Sequence, residues 1–322
     1  MCLSSLYGSE DLRCLSMKIL IASSIHQDAI SYLEQDHDVI CAFNAPTDVL
    51  KEKIVDRDIL IFRSGVQITA EVMSAAPNLR LLLRGGSGFD NIDLDYVNEH
   101  NLEFIRVPEP GARAVAEMAF GLMIALARNI LIADEKTRQG RWMKREMTGY
   151  LLKDKTLGIV GAGNIGTQTG KLGVAWGMNV IGCVEAPNAQ KSADLKAHDI
   201  QLESLETVLS QSDFVCLHVP LTDTTRYLID DEKLALMKEG SYLINLARGH
   251  VVDEQALLEH LTNGKIAGAA LDVHAQEGEG KISPLADLDN VILTPHIGAS
   301  AFDAQREIGE IMIKMIEARD NA

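Results

Sequence analysis

The sequence predicts an α/β protein made of two doubly wound parallel-sheet domains. Three observations carry that prediction. Short apolar runs alternate with amphipathic stretches along nearly the whole chain. One long apolar stretch interrupts the alternation, which then restarts. A Gly-x-Gly-x-x-Gly turn follows the first apolar run after the restart. Parallel strands are buried on both faces and so read as unbroken apolar runs, and the crossovers between them are usually amphipathic helices.

In chain order, runs at 19–22, 39–42, 59–63, 81–84 and 102–105 form the first array, with helical periodicity at 27–35 and 69–76 between them. Residues 114–133 are rich in Ala, Leu and Met and lack proline, which predicts one buried connecting helix. The second array runs through 156–160, 180–184, 213–218, 242–246 and 268–273 and ends near 291–294. A last helical stretch, 301–318, is expected to pack back on the first array. The expected organisation is a discontinuous domain, 17–112 with 299–322, enclosing a contiguous one, 113–298, with the active site in the cleft between them. Met17 to Ile21 reads as the beginning of the first strand. Residues 1–16 lack the basic start and apolar core of a signal peptide and read as a disordered tail.

Composition narrows the function. The 322 residues carry a net charge of −16 without a local basic patch, which argues against nucleic acid as a partner. A negatively charged substrate would then need its own arginines or backbone amides. No apolar run is read as a membrane span of roughly 20 residues. The five cysteines are scattered, odd in number and never spaced C-x-x-C, so neither a disulfide framework nor a metal site is expected and a reducing, cytoplasmic setting is.

The turn Gly161-Ala162-Gly163-Asn164-Ile165-Gly166 lies between a predicted strand and a predicted helix. Gly161 permits the tight turn, Gly163 lets a pyrophosphate approach the backbone, and Gly166 allows close helix–strand packing. The helix N-terminus then offers amide donors to phosphate. Glu185 ends the next strand at about the 20-residue spacing at which an acid meets the ribose hydroxyls. Ala186 and Pro187 follow with no adjacent arginine, so NAD is expected over NADP.

Further along, His296 sits between Pro295 and Ile297 in an apolar, Gly-rich segment. Histidine exchanges protons near neutrality, and a carboxylate fixes its tautomer; Glu277 is the candidate. Arg248, between an apolar strand and Gly249, is placed to fork onto a substrate carboxylate. Each has a plain alternative when taken singly. His296 can be a core histidine, Arg248 a helix-capping cation, and Glu277 one acid of an exposed loop that also holds Glu279.

Taken together, the motifs resemble the D-isomer-specific 2-hydroxyacid dehydrogenase family, most closely its phosphoglycerate dehydrogenase branch. The resemblance runs from Met17 to the C-terminus. It is carried by the segment Arg84 to Asp93, Val115-Ala116-Glu117, Gly140-Arg141-Trp142, Lys155 to Ile159, and His218-Val219-Pro220-Leu221-Thr222. Three C-terminal segments complete it: Asn245 to Gly249, Ala270 to Val273 with Glu277, and Thr294 to Gly298.

This resemblance implies a flavodoxin-like substrate domain and a Rossmann NAD-binding domain. It implies hydride transfer between nicotinamide and C2 of a D-2-hydroxy acid, with no metal. Arg248 would bind and polarise the 2-oxo acid, His296 would be the general acid/base, and Glu277 would pair with it. Asn164 and Ile165 would cover the pyrophosphate, Glu185 the adenosine ribose and Asp272 the nicotinamide carboxamide. Val219, Pro220, Leu246 and Ala247 would line the nicotinamide side, with Gly298 also at the cofactor. Ser87 and Gly88 would meet the substrate carboxylate through their backbone, and Arg63 would meet a substrate phosphate. A homodimer through the nucleotide domain, with Trp142, Lys144 and Arg145 at the interface, is also implied.

The substrate expectation is 3-phosphoglycerate and its 2-oxo form, which would place the chain in serine biosynthesis. Hydroxypyruvate, glyoxylate or another small 2-oxo acid is the alternative. An NAD-sensing corepressor of the C-terminal-binding kind is a third, favoured less because the acid/base set is complete. Some positions depart from the branch. The segment 107–113 reads as a loop with an added proline and Arg113, His274 replaces an aromatic, and Gly278 replaces a proline. The chain ends at Ala322, so a C-terminal regulatory domain and serine feedback through it are not expected.

Overall fold

The computed structural model describes residues 16–320, and the expected tail at 1–16 lies outside them except for Ser16. The chain forms two compact units: one is the chain through Val107 with Gln305 onward, the other is Pro108–Ala304. The first boundary falls at 107/108 rather than 112/113, because the segment read as a loop at 107–113 leads into a helix, Glu109–Ala127, and the second falls at 304/305 rather than 298/299. Pro110 stands in its first turn, where its missing N–H leaves no intrahelical bond unmade.

The first unit holds β1 (Lys18–Ile21), β2 (Asp38–Cys41), β3 (Ile59–Phe62), β4 (Leu81–Arg84) and β5 (Glu103–Arg106), all parallel, in the order β2-β1-β3-β4-β5. β1, β3 and β4 sit inside the sheet, and their apolar side chains are sealed on both faces. The C-terminal helix Phe302–Asp320 closes one face. Its Ile308, Met312 and Ile316 join Ile19, Ile21, Ile59 and Leu83 in one core cluster. Burial of each such side chain contributes about 1.5–3 kcal/mol of transfer free energy, so this helix is integral to the unit.

The second unit holds β6 (Thr156–Val160), β7 (Asn179–Cys183), β8 (Ile200–Leu202), β9 (Phe214–Leu217), β10 (Ser241–Asn245), β11 (Ile266–Leu271) and β12 (Val291–Leu293). The order is β12-β11-β10-β9-β6-β7-β8, again parallel. After β6 the chain winds outward through β7 and β8, then returns to the other side of β6 with β9. The crevice at the carboxyl ends of β6 and β9 is therefore the switch point, where open α/β sheets take their ligands.

Two expectations need correction. The single helix at 114–133 is two: Glu109–Ala127 and Ile130–Arg138, separated by Asn129 in the left-handed region at φ 52°. Asparagine tolerates that conformation, and it turns the chain out of the core, so the second helix buries no residue. Glu109–Ala127 is also, among the described residues, the one helix long and apolar enough to cross a membrane, contrary to the reading that no run approaches a span. Val115, Ala119, Phe120 and Met123 place it in the core against Leu157, Ile159 and Phe214.

Candidate active site

The Gly-rich turn builds the floor of a cleft of about 740 Å³ in the second unit. Gly161 has φ 92°, and a Cβ there would lie 2.8 Å from the His218 carbonyl and from Val219. A Cβ on Gly166 would lie 2.3 Å from the Gly161 carbonyl oxygen, so the helix Asn164–Ala175 can start this close to β6 only with glycine. At Gly163 a Cβ would meet nothing within 4 Å. That open side, with an N-cap that no side chain satisfies, leaves the helix N-terminus to an anion. Asn164 is exposed beside it, and Ile165 packs into the core.

Glu185, Val219 and Pro220 line the same cleft, and the Thr224 hydroxyl donates to Glu185 at 3.2 Å. A carboxylate beside an open, amide-rich phosphate cradle fits a dinucleotide with a free ribose 2′-hydroxyl. His218 lines the cleft too. Its Nε2 is 3.1 Å from the Thr169 hydroxyl, and burial drives its pKa down to about 3, so it is a neutral ring braced under the turn.

The candidate acid/base groups follow the carboxyl ends of β10, β11 and β12 in the same parallel sheet. His296 Nδ1 lies 2.9 Å from Glu277 Oε2, with both side chains partly exposed beside a cavity of about 590 Å³. Burial pushes the Glu277 carboxyl up. The His296 hydrogen bond and charge, aided by the His274 amide donating to Oε1 at 3.2 Å, outweigh it and hold the carboxyl below its ordinary value. Arg248 follows β10 in extended backbone at the mouth of a short 3₁₀ turn, and its Nη1 donates to the Ala247 carbonyl at 2.7 Å. Asn245 fixes that corner, accepting from the Ala247 amide and donating to the Arg248 carbonyl. Leu246 and Ala247 are buried.

Asp272 is almost completely buried, and its carboxylate ties down the turn that presents His296. Oδ1 accepts from the Thr294 hydroxyl at 2.6 Å and the Ile297 amide at 2.9 Å, and Oδ2 accepts from the Gly298 amide at 2.7 Å. The His296 amide donates to the Asp272 carbonyl at 2.7 Å. These bonds hold His296 at φ 55°, a conformation a non-glycine residue adopts at a cost of about 1–3 kcal/mol. A carboxylate has about four acceptor positions, so three internal bonds leave one. Asp272→Asn turns an amide group toward a backbone N–H. It is expected to destabilise the unit by about 1–3 kcal/mol, read as a lower denaturant midpoint, and to lower turnover in parallel.

Arg63, Ser87 and Gly88 belong to the first unit, at the carboxyl ends of β3 and β4. The loop bearing Ser87 rests on Arg84, a buried guanidinium whose Nε donates to Asn91 at 3.0 Å. Asn91 in turn donates to the carbonyls of Arg63 and Val66. Arg106, at the end of β5, donates to the Ser87 carbonyl at 2.8 Å and lies over the Phe89 ring. Burial pulls the Arg63 guanidinium below its usual value, but arginine stays charged at neutral pH.

Residue reasoning missed the Thr294–Asp272 bond, the Thr224–Glu185 bond and the bracing of Ser87 by Arg106. The sequence signal was that Ser87, Asp272 and Thr294 lie within the family-like segments and Thr224 lies two residues beyond one. Among the described residues no cluster of His, Cys, Asp and Glu could hold a metal ion.

The family model for the D-isomer-specific 2-hydroxyacid dehydrogenase NAD-binding domain matches residues 120–298. The D-3-phosphoglycerate dehydrogenase of Methanocaldococcus jannaschii is 40% identical over 301 residues, covering 94% of this chain. The chain spans only 57% of that relative's length. The hydroxypyruvate reductase of Thermotoga maritima is 40% identical over 271 residues, 84% of this chain and 87% of that one. The crystal structure of a D-lactate dehydrogenase from Aquifex aeolicus, complexed with NAD and lactic acid, superposes with a TM-score of 0.81 at 30% identity. It covers 94% of this chain and 95% of that chain.

Proposed function

Because the chain belongs to the D-isomer-specific 2-hydroxyacid dehydrogenase family and carries its NAD-binding domain, we propose that it is an oxidoreductase acting at C2 of a D-2-hydroxy acid. The observation that carries this reading is the His296–Glu277 pair, 2.9 Å apart on one wall of a cavity. Bound in the cleft of Gly161, Gly163 and Glu185, NAD supplies the hydride acceptor or, reduced, the hydride donor. Glu277 keeps the His296 proton on Nδ1, which leaves Nε2 to take the C2 hydroxyl proton as the alcohol is oxidised. In reduction, Nε2 returns that proton to the carbonyl oxygen. Arg248 holds the carboxylate and polarises the carbonyl, so charge developing on oxygen meets a fixed cation. Asp272 keeps the His296 turn in place.

The substrate we favour is phosphorylated, 3-phosphohydroxypyruvate in the reductive direction, because Arg63 at the end of β3 offers a guanidinium to a second anion. Hydroxypyruvate is the second reading. It is favoured by the hydroxypyruvate reductase relative, which the chain matches over most of its length. NADH oxidation with 3-phosphohydroxypyruvate, hydroxypyruvate, glyoxylate and pyruvate separates them. Arg63→Ala is expected to raise KM for the phosphorylated acid on the order of tenfold to a hundredfold, the worth of a charge-assisted bond, and to spare the others. An unchanged KM moves the chain to the reductase reading. NADH binding without turnover of any of the four favours a sensing role instead.

A homodimer through the second unit and a cytoplasmic setting belong to the same proposal. Trp142 and Leu151 of that unit are exposed by 82% and 70%, and the described Cys41, Cys183 and Cys216 are free thiols. A place in serine biosynthesis follows only from the phosphorylated substrate.

A further inference from the structure

We propose that His274 is a positioning residue for the acid/base pair, joining the three segments that carry Arg248, Glu277 and His296. The inference rests on the dehydrogenase reading above. The His274 imidazole Nε2 lies 2.9 Å from the Thr294 carbonyl, two residues before His296. A carbonyl only accepts, so Nε2 carries the proton and the tautomer is settled. The His274 amide donates to Glu277 Oε1 at 3.2 Å, opposite the oxygen that holds His296. The His274 carbonyl presses on Gly249, where a Cβ would lie 1.9 Å from its oxygen, directly after Arg248.

One residue thus touches Glu277, the segment that presents His296 and the arginine's turn. Its neighbour Ala275 is held independently, by the nearly buried Glu254 carboxylate at 2.7 Å, so the His274 backbone is a fixed support. The amide and carbonyl contacts are available to any residue at this position. The side-chain bond to Thr294 is not, and a phenyl ring would lack it. His274 Nδ1 is buried with no hydrogen-bond partner among the described residues, a desolvation cost that a purely space-filling apolar ring would avoid. What the imidazole adds is a donor that sets the distance between the His296 strand end and the Glu277 loop. That loop carries Gly278 and Gly280 at positive φ, the first directly after Glu277.

The test compares the wild type with His274→Phe, which keeps a ring and loses the donor, and His274→Gln, which restores an N–H at the same reach. Should the phenylalanine variant fail to fold, His274→Leu serves as the donor-free variant. Two readouts are used. One is the downfield proton resonance of the His296 Nδ1–H held by Glu277, assigned by its loss in His296→Asn. The other is kcat, KM and NADH affinity with whichever of the four 2-oxo acids is turned over fastest.

The donor-free variant is expected to weaken or lose the resonance. Its kcat should fall on the order of 10- to 100-fold, the effect of a slightly misplaced catalytic group, with NADH affinity kept. His274→Gln should recover most of both. A donor-free variant with wild-type resonance and kcat overturns the proposal, as do equal losses in the glutamine variant. If the wild type turns over none of the acids, the dehydrogenase reading fails and the resonance alone decides the role of His274.

Discussion

His296→Asn is expected to lower kcat by about 10²–10⁴-fold, the range attributable to a positioned general acid/base, while NADH affinity stays close to wild type. Asparagine retains a donor toward Glu277, and the backbone at this position suits it. His296 sits at φ 55°, where asparagine is among the residues least penalised. The bonds from Asp272 to Ile297 and Gly298 involve backbone amides that the substitution leaves in place. Loss of turnover in a folded, cofactor-binding variant would therefore report proton transfer. Steady-state kinetics with NADH titration by fluorescence makes the distinction, and a variant retaining a tenth or more of wild-type kcat would remove His296 from that role.

Glu277 adds a pH signature to the same experiment. Its carboxyl is held below the ordinary value of 4.5 in the folded chain. A depressed carboxylate pKa stabilises the folded state above the unfolded-state value, and that contribution is lost as the pH falls through the folded-state value. The stabilisation that Glu277 contributes is accordingly lost in the acid range below the usual glutamate value.

Much of this was legible in the chain because the physics is local. A doubly wound sheet writes its strands as apolar runs, and most were placed within a residue or two. β8 escaped because it has three residues, lies at the sheet edge and pairs only with β7. The break at Asn129 escaped because the apolar composition continues past it, whereas the left-handed turn depends on one residue's φ. The Gly-rich turn was readable because each glycine has its own steric reason, and the structure supplies a separate neighbour for Gly161 and Gly166 and open space at Gly163.

The candidate acid/base group was less readable. Arg248, Glu277 and His296 were singled out by residue type and setting, each with a plain alternative until the resemblance joined them, and nothing in their spacing shows that Asp272 would spend three acceptor positions on the His296 turn. Nor does spacing reveal that His274 reaches Thr294, twenty residues away in sequence. Long-range hydrogen bonds depend on strand order, and strand order is not written in periodicity.

Gly249→Ala is expected to be the most damaging single-methyl change in the second unit. The added Cβ would lie 1.9 Å from the His274 carbonyl oxygen, 2.0 Å from its carbon and 2.5 Å from the Ala275 nitrogen. All three are backbone atoms, so no side-chain rotation relieves the clash and one segment must move. Neither moves cheaply. Gly249 opens a 3₁₀ turn whose amides at Val251 and Val252 bond back to Arg248 and Gly249, and Ala275 is held by Glu254. Overpacking of this kind costs about 1–3 kcal/mol or more.

The displacement would reach Arg248 on one side and the Glu277 loop on the other, so turnover should fall further than stability. Gly121→Ala is the matched control. It lies in the helix Glu109–Ala127 with nothing within 4 Å of its would-be Cβ, and alanine there should add about 1 kcal/mol of helix stability. Denaturant melts and kcat for the two variants read the contrast. Equal stability in Gly249→Ala and the wild type would mean that the turn bearing Arg248 can retreat from His274, and that its position is not fixed by that contact.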